Sequence, residues 1–379
     1  MKSAYLLLVC SIAVVAGINI QQQQYKQSTQ ISITQSQSLS ISTPTPTLAP
    51  CSCSNVSMCQ PLRIPPRKEF VGFTVYPNNF GAYDLSHLTT IMVFASSIDP
   101  QLVCQAHAAG VRVIAAAKFP PDQLTNLTYH IEWITSMVSV VQTNHYDGIN
   151  IDFEDNIPKN ETMVTALLTA LVTDVTWALK SINPFYQISM DMPPAPFCDW
   201  GRCYDFFALS EALDFIIAMD YDMNSNGIAA ANSDFPTAMS GAAQFLGIGI
   251  PPEKVVQAFP WYGYDYICNG NMTLTTRECT YDTSQRWNNS VVASNCYEGI
   301  METFNQSTND GMHWDDLSES PFFNYVSGDN IRQVWFDDPK SIYIKVQAAK
   351  DLGIGGVGIW YIDCCDPGPM WQAVNSFFE

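Results

Sequence analysis

Positive charge is scarce in this chain. Only 17 Lys and Arg stand against 36 Asp and Glu in 379 residues, a formal net charge of −19. Nucleic-acid backbones demand a basic surface, so no nucleic-acid partner is expected. Histidine is rarer still, at five residues, and no Cys-x-x-Cys pair with a neighbouring His occurs. Neither a zinc site nor a His-based nucleophile is legible, so no metal and no cofactor is expected. A Gly-rich phosphate loop after the first strand-like run is missing, which speaks against a doubly wound nucleotide-binding sheet. Beyond the N-terminus there is no apolar run that reads as a membrane span, so no membrane association is expected once that terminus is removed.

What the N-terminus does contain is Lys2, an apolar run and then Ala16 and Gly17, the layout of a secretory signal peptide over residues 1–17. Six Asn-x-Ser/Thr sequons (Asn55, Asn126, Asn160, Asn271, Asn288, Asn305) and twelve cysteines agree with an oxidising, glycosylating route. Removing Cys10 with the signal leaves an odd number, so one thiol is expected to be free or paired between chains. Cys51, Cys53 and Cys59 cluster, as do Cys198 with Cys203, and Cys268, Cys279 and Cys296. Residues 18–50 are rich in Gln, Ser, Thr and Pro and have too few large apolar side chains to form a core; a disordered or O-glycosylated leader is expected there, with the folded domain over 51–379.

From residue 70 onward, short runs rich in Val, Ile, Phe and Ala recur: 70–76, 89–95, 111–117, 147–154, 187–192, 214–222, 254–263 and 356–363. Helix-like segments separate most of them. Over 163–180, Leu168, Leu171, Val172, Val175 and Leu179 repeat at helical spacing. Another helix is expected after Asp338 as N-cap and Pro339 at its first position, with Gly353 as its stop. Eight strand–helix periods predict an α/β fold, a (β/α)8 TIM barrel. The long stretch 264–332 carries three cysteines and three sequons, and predicts a disulfide-containing excursion between strands 7 and 8 over one end of the barrel.

The fourth run, YDGINIDFED, is the informative one. Alternation turns Ile149, Ile151 and Phe153 toward the helices and Gly148, Asn150, Asp152 and Glu154 toward the barrel interior. Glu154 then stands at the C-terminal mouth, where barrel enzymes gather their chemistry. A buried ion pair would be the plain alternative, but no Lys or Arg is expected on a neighbouring strand end, and unpartnered buried acids are costly unless they work. This pattern resembles the fourth-strand signature of glycoside hydrolase family 18, Asp-x-x-Asp-x-Asp-x-Glu, here Asp147, Asn150, Asp152 and Glu154. The family's sixth-strand Met-x-Tyr-Asp is matched by Met219, Tyr221 and Asp222, and its eighth-strand Trp by Trp360. The stretches 259–266, 229–235 and 51–62 are similar to a lysosomal branch of the family. One departure is Asn150, where chitinases carry a second Asp and that branch does not.

The resemblance implies a retaining glycosidase that cleaves β-1,4 bonds between N-acetylglucosamine units, acting as a monomer in the lysosome or after secretion. Glu154 would be the acid and base, Asp152 would hold the substrate's acetamido N–H, and Tyr221 would bond its oxygen. Trp360 is expected to floor the sugar, with core packing as its alternative. Asn150 removes a charge beside the acids and predicts an acidic optimum. Substrate contacts are also expected from Asn150, Asp222, Asp191, Trp261, Tyr262 and Met219, the last more through shape than chemistry, with loop capping as the alternative for Asp222 and Asp191. Asp147 and Gly148 are expected to hold structure. A chitinase acting on polymer, or a glycan-binding lectin on the same barrel, are the alternative functions.

Overall fold

The computed structural model describes residues 50–379 except 199, 225, 271, 286, 287 and 365–367. The signal peptide and nearly all of the leader expected above lie outside these residues.

Each apolar run becomes a strand: β1 (Glu69–Thr74), β2 (Thr90–Val93), β3 (Arg112–Ala117), β4 (Gly148–Ile151), β5 (Gln187–Met192), β6 (Phe215–Met219) and β7 (Val255–Pro260). Then come β8 (Tyr262–Ile267), β9 (Val292–Cys296), β10 (His313–Asp315), β11 (Ser320–Ser327), β12 (Asn330–Trp335) and β13 (Gly356–Trp360). Eight of them close a parallel barrel in the order β1-β13-β7-β6-β5-β4-β3-β2. The other five form an antiparallel sheet, β10-β11-β12-β8-β9, and this is the excursion between the seventh and eighth barrel strands.

Alternation sorts the barrel into two cores. Val71, Phe73, Met92, Ile114, Phe215, Ile217, Val256 and Ala258 fill the interior. Ile149, Ile151 and Phe153 join the layer between strands and helices, each at most 1% exposed. Burial of each such side chain stabilises by about 1.5–3 kcal/mol, an upper figure because the unfolded chain already buries some surface.

The 163–180 pattern is the helix Thr162–Ile182, with Leu168, Leu171, Val172, Val175 and Leu179 buried. By length and hydropathy this helix is apolar enough to cross a membrane, contrary to the sequence expectation; here its buried stripe packs into the barrel's outer core. The helix Pro339–Asp351 begins at Asp338, whose carboxylate accepts from Ser341 N–H while the Ser341 hydroxyl accepts from Asp338 N–H. That reciprocal cap is worth about 1 kcal/mol. Gly353 ends the segment in the left-handed region at φ 74°.

Five disulfides join Cys51–Cys59, Cys53–Cys104, Cys198–Cys203, Cys268–Cys279 and Cys296–Cys364. Cys268–Cys279 lies within the excursion, and Cys296–Cys364 fastens the excursion to the chain just past β13. The two remaining cysteines, Cys10 and Cys365, lie outside the described residues.

Candidate active site

The site is built along β4, from its foot to its mouth. At the foot, Asp147 is wholly buried and its carboxylate meets three donors. Its Oδ1 accepts from Leu62 N–H at 2.7 Å, and its Oδ2 from Val113 N–H at 2.7 Å and from His107 Nε2 at 2.8 Å. The other ring nitrogen of His107 faces the Met58 carbonyl at 2.7 Å. An imidazole between two acceptors bonds both only as the cation. Burial opposes that charge, but the hydrogen bond and charge of Asp147 and the Met58 carbonyl outweigh it, so the His107 pKa is raised.

Next along the strand, Gly148 has φ 146°, and a Cβ there would stand 1.9 Å from the Gln187 carbonyl oxygen. No other residue fits this contact between β4 and β5.

In the middle, Asn150 donates from Nδ2 to Asp191 at 2.7 Å and accepts from the Ser189 hydroxyl at 2.7 Å. Asn150 is fully enclosed and Asp191 is 2% exposed. Neither reaches solvent, which corrects the expectation that they touch sugar directly: both lie under the acid pair. Burial first, then the charge of Asp152, pushes the Asp191 pKa well above the usual carboxylate range.

Strand pairing of β4 ends at Ile151, and Asp152 N–H adds one bond to the Ala117 carbonyl at 3.1 Å. Beyond it stand the two acids, and both have cationic partners. Lys118 Nζ lies 2.9 Å from Asp152 Oδ2, and Arg202 Nη2 donates to Glu154 Oε2 at 2.6 Å. The expectation that no cation sits on a neighbouring strand end is therefore wrong: Lys118 directly follows β3. The Lys118 side chain is 74% exposed, so its ion pair is solvent-screened and contributes little stability. The Glu154 side chain is 50% exposed while that of Asp152 is 6%. Burial raises the Glu154 pKa, Arg202 opposes, and Asp152 adds charge and a hydrogen bond that raise it further; the net direction is up.

Aromatic side chains close the mouth. Trp360, at the end of β13, is partly exposed and packs at 5.4 Å on Phe73, 5.3 Å edge-on to Phe94 and 6.1 Å in a stack with Tyr221. Burial, followed by the charges of Asp191, Glu154, Asp222 and Asp152, holds the Tyr221 pKa well above 10, so its hydroxyl is a donor at any working pH. Tyr262 and Tyr264 each donate to Asp222 Oδ1 at 2.5 Å, which ties β8 of the excursion to the end of β6. Tyr262 is 5% exposed and Met219 7%, so both shape the wall.

Trp261 is a correction. It is fully buried against Trp371, edge to face at 4.8 Å, in the outer core and cannot touch sugar. Phe259 and Trp261 share the outward parity, so alternation alone placed it there. Arg202 was missed: it comes from a loop 48 residues beyond Glu154, and its only sequence signal is the flanking pair Cys198 and Cys203.

A parallel (β/α)8 barrel with a hydrogen-bonded acid pair and an aromatic wall at its C-terminal mouth is an enzyme barrel of the acid–base kind. The family model for glycosyl hydrolases family 18 matches residues 121–364. The chain belongs to this family and is a glycoside hydrolase. It is 41% identical to the probable di-N-acetylchitobiase 1 of Dictyostelium discoideum, over 87% of this chain and 94% of the relative. The di-N-acetylchitobiases of Mus musculus, 32% identical over 83% of this chain and 87% of the relative, and of Homo sapiens, 30% over 83% of each, are similar along the same length. Among solved structures, a family 18 chitinase of Cycas revoluta in complex with (GlcNAc)3 superposes with a TM-score of 0.69 over 82% of this chain and 100% of that one, at 16% identity. At that identity the likeness speaks for the fold.

Proposed function

We propose that this protein is a retaining glycosidase that hydrolyses the β-1,4 bond between N-acetylglucosamine units of chitobiose, short chitooligosaccharides and N-glycan cores. The observation that carries this reading is the convergence, at one mouth, of a half-exposed Glu154, an adjoining Asp152, a Tyr221 locked as a donor and a partly exposed Trp360. The relatives named di-N-acetylchitobiase favour short oligomers as substrate.

In the proposed reaction Glu154, whose pKa is raised by its burial and by Asp152, gives its proton to the glycosidic oxygen. The substrate's acetamido carbonyl oxygen attacks C1 and forms an oxazolinium ion, the substrate-assisted variant of glycoside hydrolysis. Asp152 accepts from the acetamido N–H and balances the cation, Tyr221 donates to the acetamido oxygen, and Trp360 stacks on the sugar's C–H face. Glu154, now a carboxylate, takes a proton from water, which attacks C1 on the face the leaving group left. Asn150 and Asp191, bonded to each other, lie beneath the acid pair, and the charge of Asp152 is felt at Asp191.

Residues 1–17 as signal peptide and 18–50 as leader, a route through the secretory pathway to the lysosome or outside, and a monomeric state belong to the same proposal. The five disulfides and the exposure of Asn55, Asn126, Asn160, Asn288 and Asn305 support that route. The test is hydrolysis of N,N′-diacetylchitobiose and longer oligomers at acidic pH, with the product anomer read by NMR. Release of β-N-acetylglucosamine from the short oligomers is expected. Turnover of polymer alone would move the reading to a chitinase, and sugar binding without turnover to a lectin.

A further inference from the structure

Glu154 has a partner that the reaction scheme leaves unused. Arg202 belongs to the loop between β5 and the helix Phe206–Ala212, and the loop is pinned around it at residues 198 and 202–204. The Cys198–Cys203 disulfide closes it. Ile157 and Arg202 pair as a parallel bridge, with Cys203 N–H donating to the Ile157 carbonyl at 3.0 Å. Thr165 Oγ1 donates to the Cys203 carbonyl at 3.0 Å, and the Tyr204 hydroxyl to the Asp155 carbonyl at 2.6 Å. The guanidinium is thus delivered from a fixed turn, with its side chain 17% exposed, onto one oxygen of a carboxyl whose own side chain is half open to solvent.

A guanidinium is all donor and no acceptor, and the carbonyl oxygen of a neutral carboxyl accepts far better than its hydroxyl oxygen, so the oxygen it bonds is the disfavoured seat of the acid proton. With Arg202 on Oε2, the proton of a neutral Glu154 is favoured on Oε1. Resting on the reading of Glu154 as proton donor, we propose that Arg202 is a positioning residue that fixes Oε1 as the oxygen that gives and takes the proton and holds the carboxylate in place between the two halves of the reaction.

The groups that face Glu154 are Asp152 from its own strand, Lys118 from the end of β3, Asp191 from β5, Tyr221 from the end of β6, and Arg202 with Tyr204 from the loop. Asp152 raises the Glu154 pKa and Arg202 lowers it. Removing Arg202 therefore raises it, and an acid that must be protonated then works to higher pH.

The test is the pH profile of kcat and kcat/KM on N,N′-diacetylchitobiose for wild type, R202M, R202K and E154Q, with Tm measured on each. R202M is expected to lose about 10- to 100-fold in kcat through misplacement of the acid, and its alkaline limb is expected to move up by about half a unit to one unit, small because the pair is partly exposed. R202K, which restores charge without the planar fork, is expected to return the limb to the wild-type position with only part of kcat. An unmoved limb in R202M at wild-type kcat would overturn the proposal. If R202M does not fold, R202K carries the test: reduced kcat with the limb kept supports it, and wild-type kcat overturns it. Wild-type turnover in E154Q is a separate outcome, which removes the reading of Glu154 itself.

Discussion

The two ends of β4 carry the same chemistry and do opposite things with it. At the foot, Asp147 is sealed from water and takes three donors, from Leu62, Val113 and His107, which lie 85, 34 and 40 residues away in the chain. At the mouth, Asp152 and Glu154 lean on one exposed lysine and one arginine, and Glu154 keeps half of its side chain in solvent. An acid held by three donors in a sealed site is fixed in position, and what it contributes is structure. An acid pulled upward by burial and a like charge and downward by a single cation has its pKa raised without being sealed from water, and it retains an open side for a ligand. The number of carboxylates on the strand is therefore less informative than how many donors each has met.

The sharpest break of this comparison is Asp147→Ala. It leaves His107 Nε2 and the Leu62 and Val113 N–H groups without their acceptor, and the expected loss is about 3–5 kcal/mol of unfolding free energy, read as a lower midpoint in urea. A loss below about 1 kcal/mol would mean the foot is not the anchor described. At the mouth, Tyr221→Phe is expected to leave the midpoint unchanged and to cut kcat about 10²–10³-fold, the usual result of deleting one preorganised donor. Equal kcat would remove Tyr221 from the reaction.

The foot also predicts a pH dependence of stability. The folded-state pKa of His107 is raised above its unfolded value. Its contribution is thus fully present below about pH 6.5 and is lost as pH rises through the folded pKa. Thermal scans from pH 5 to 9 are expected to show Tm falling over that upper range, and His107→Gln to flatten the fall. A His107→Gln slope equal to wild type would contradict it. The smallest expected effect is that of Asn150→Asp. It replaces the donor to Asp191 with a second carboxyl, and the alkaline limb of activity is expected to move up by less than one unit. An unmoved limb would end the account of Asn150 as the residue that lowers charge beneath the acids.

Much of this was legible because the signals are local. Period-2 alternation placed Ile149, Ile151 and Phe153 outward, and Asp338, Pro339 and Gly353 bounded their helix within the chain's own text. The same parity placed Trp261 in the outer core beside Phe259, so reading it as a sugar contact misapplied an available rule. Lys118 was legible too, one residue past β3. Cys53–Cys104 and Cys296–Cys364 were not, since residues 51 and 68 positions apart carry no mark of their pairing. Arg202 reaches Glu154 only because a loop after the next strand folds back over the mouth, a contact that no local pattern encodes.

The most direct measurement pairs Glu154→Gln with Asp147→Asn in one experiment, turnover of N,N′-diacetylchitobiose alongside the unfolding midpoint. Glu154→Gln is expected to lose about 10²–10⁴-fold in kcat at an unchanged midpoint, and Asp147→Asn to lower the midpoint while the folded fraction keeps its turnover. If Glu154→Gln turned over normally, or if Asp147→Asn abolished turnover at full stability, the division of labour along β4 would be contradicted.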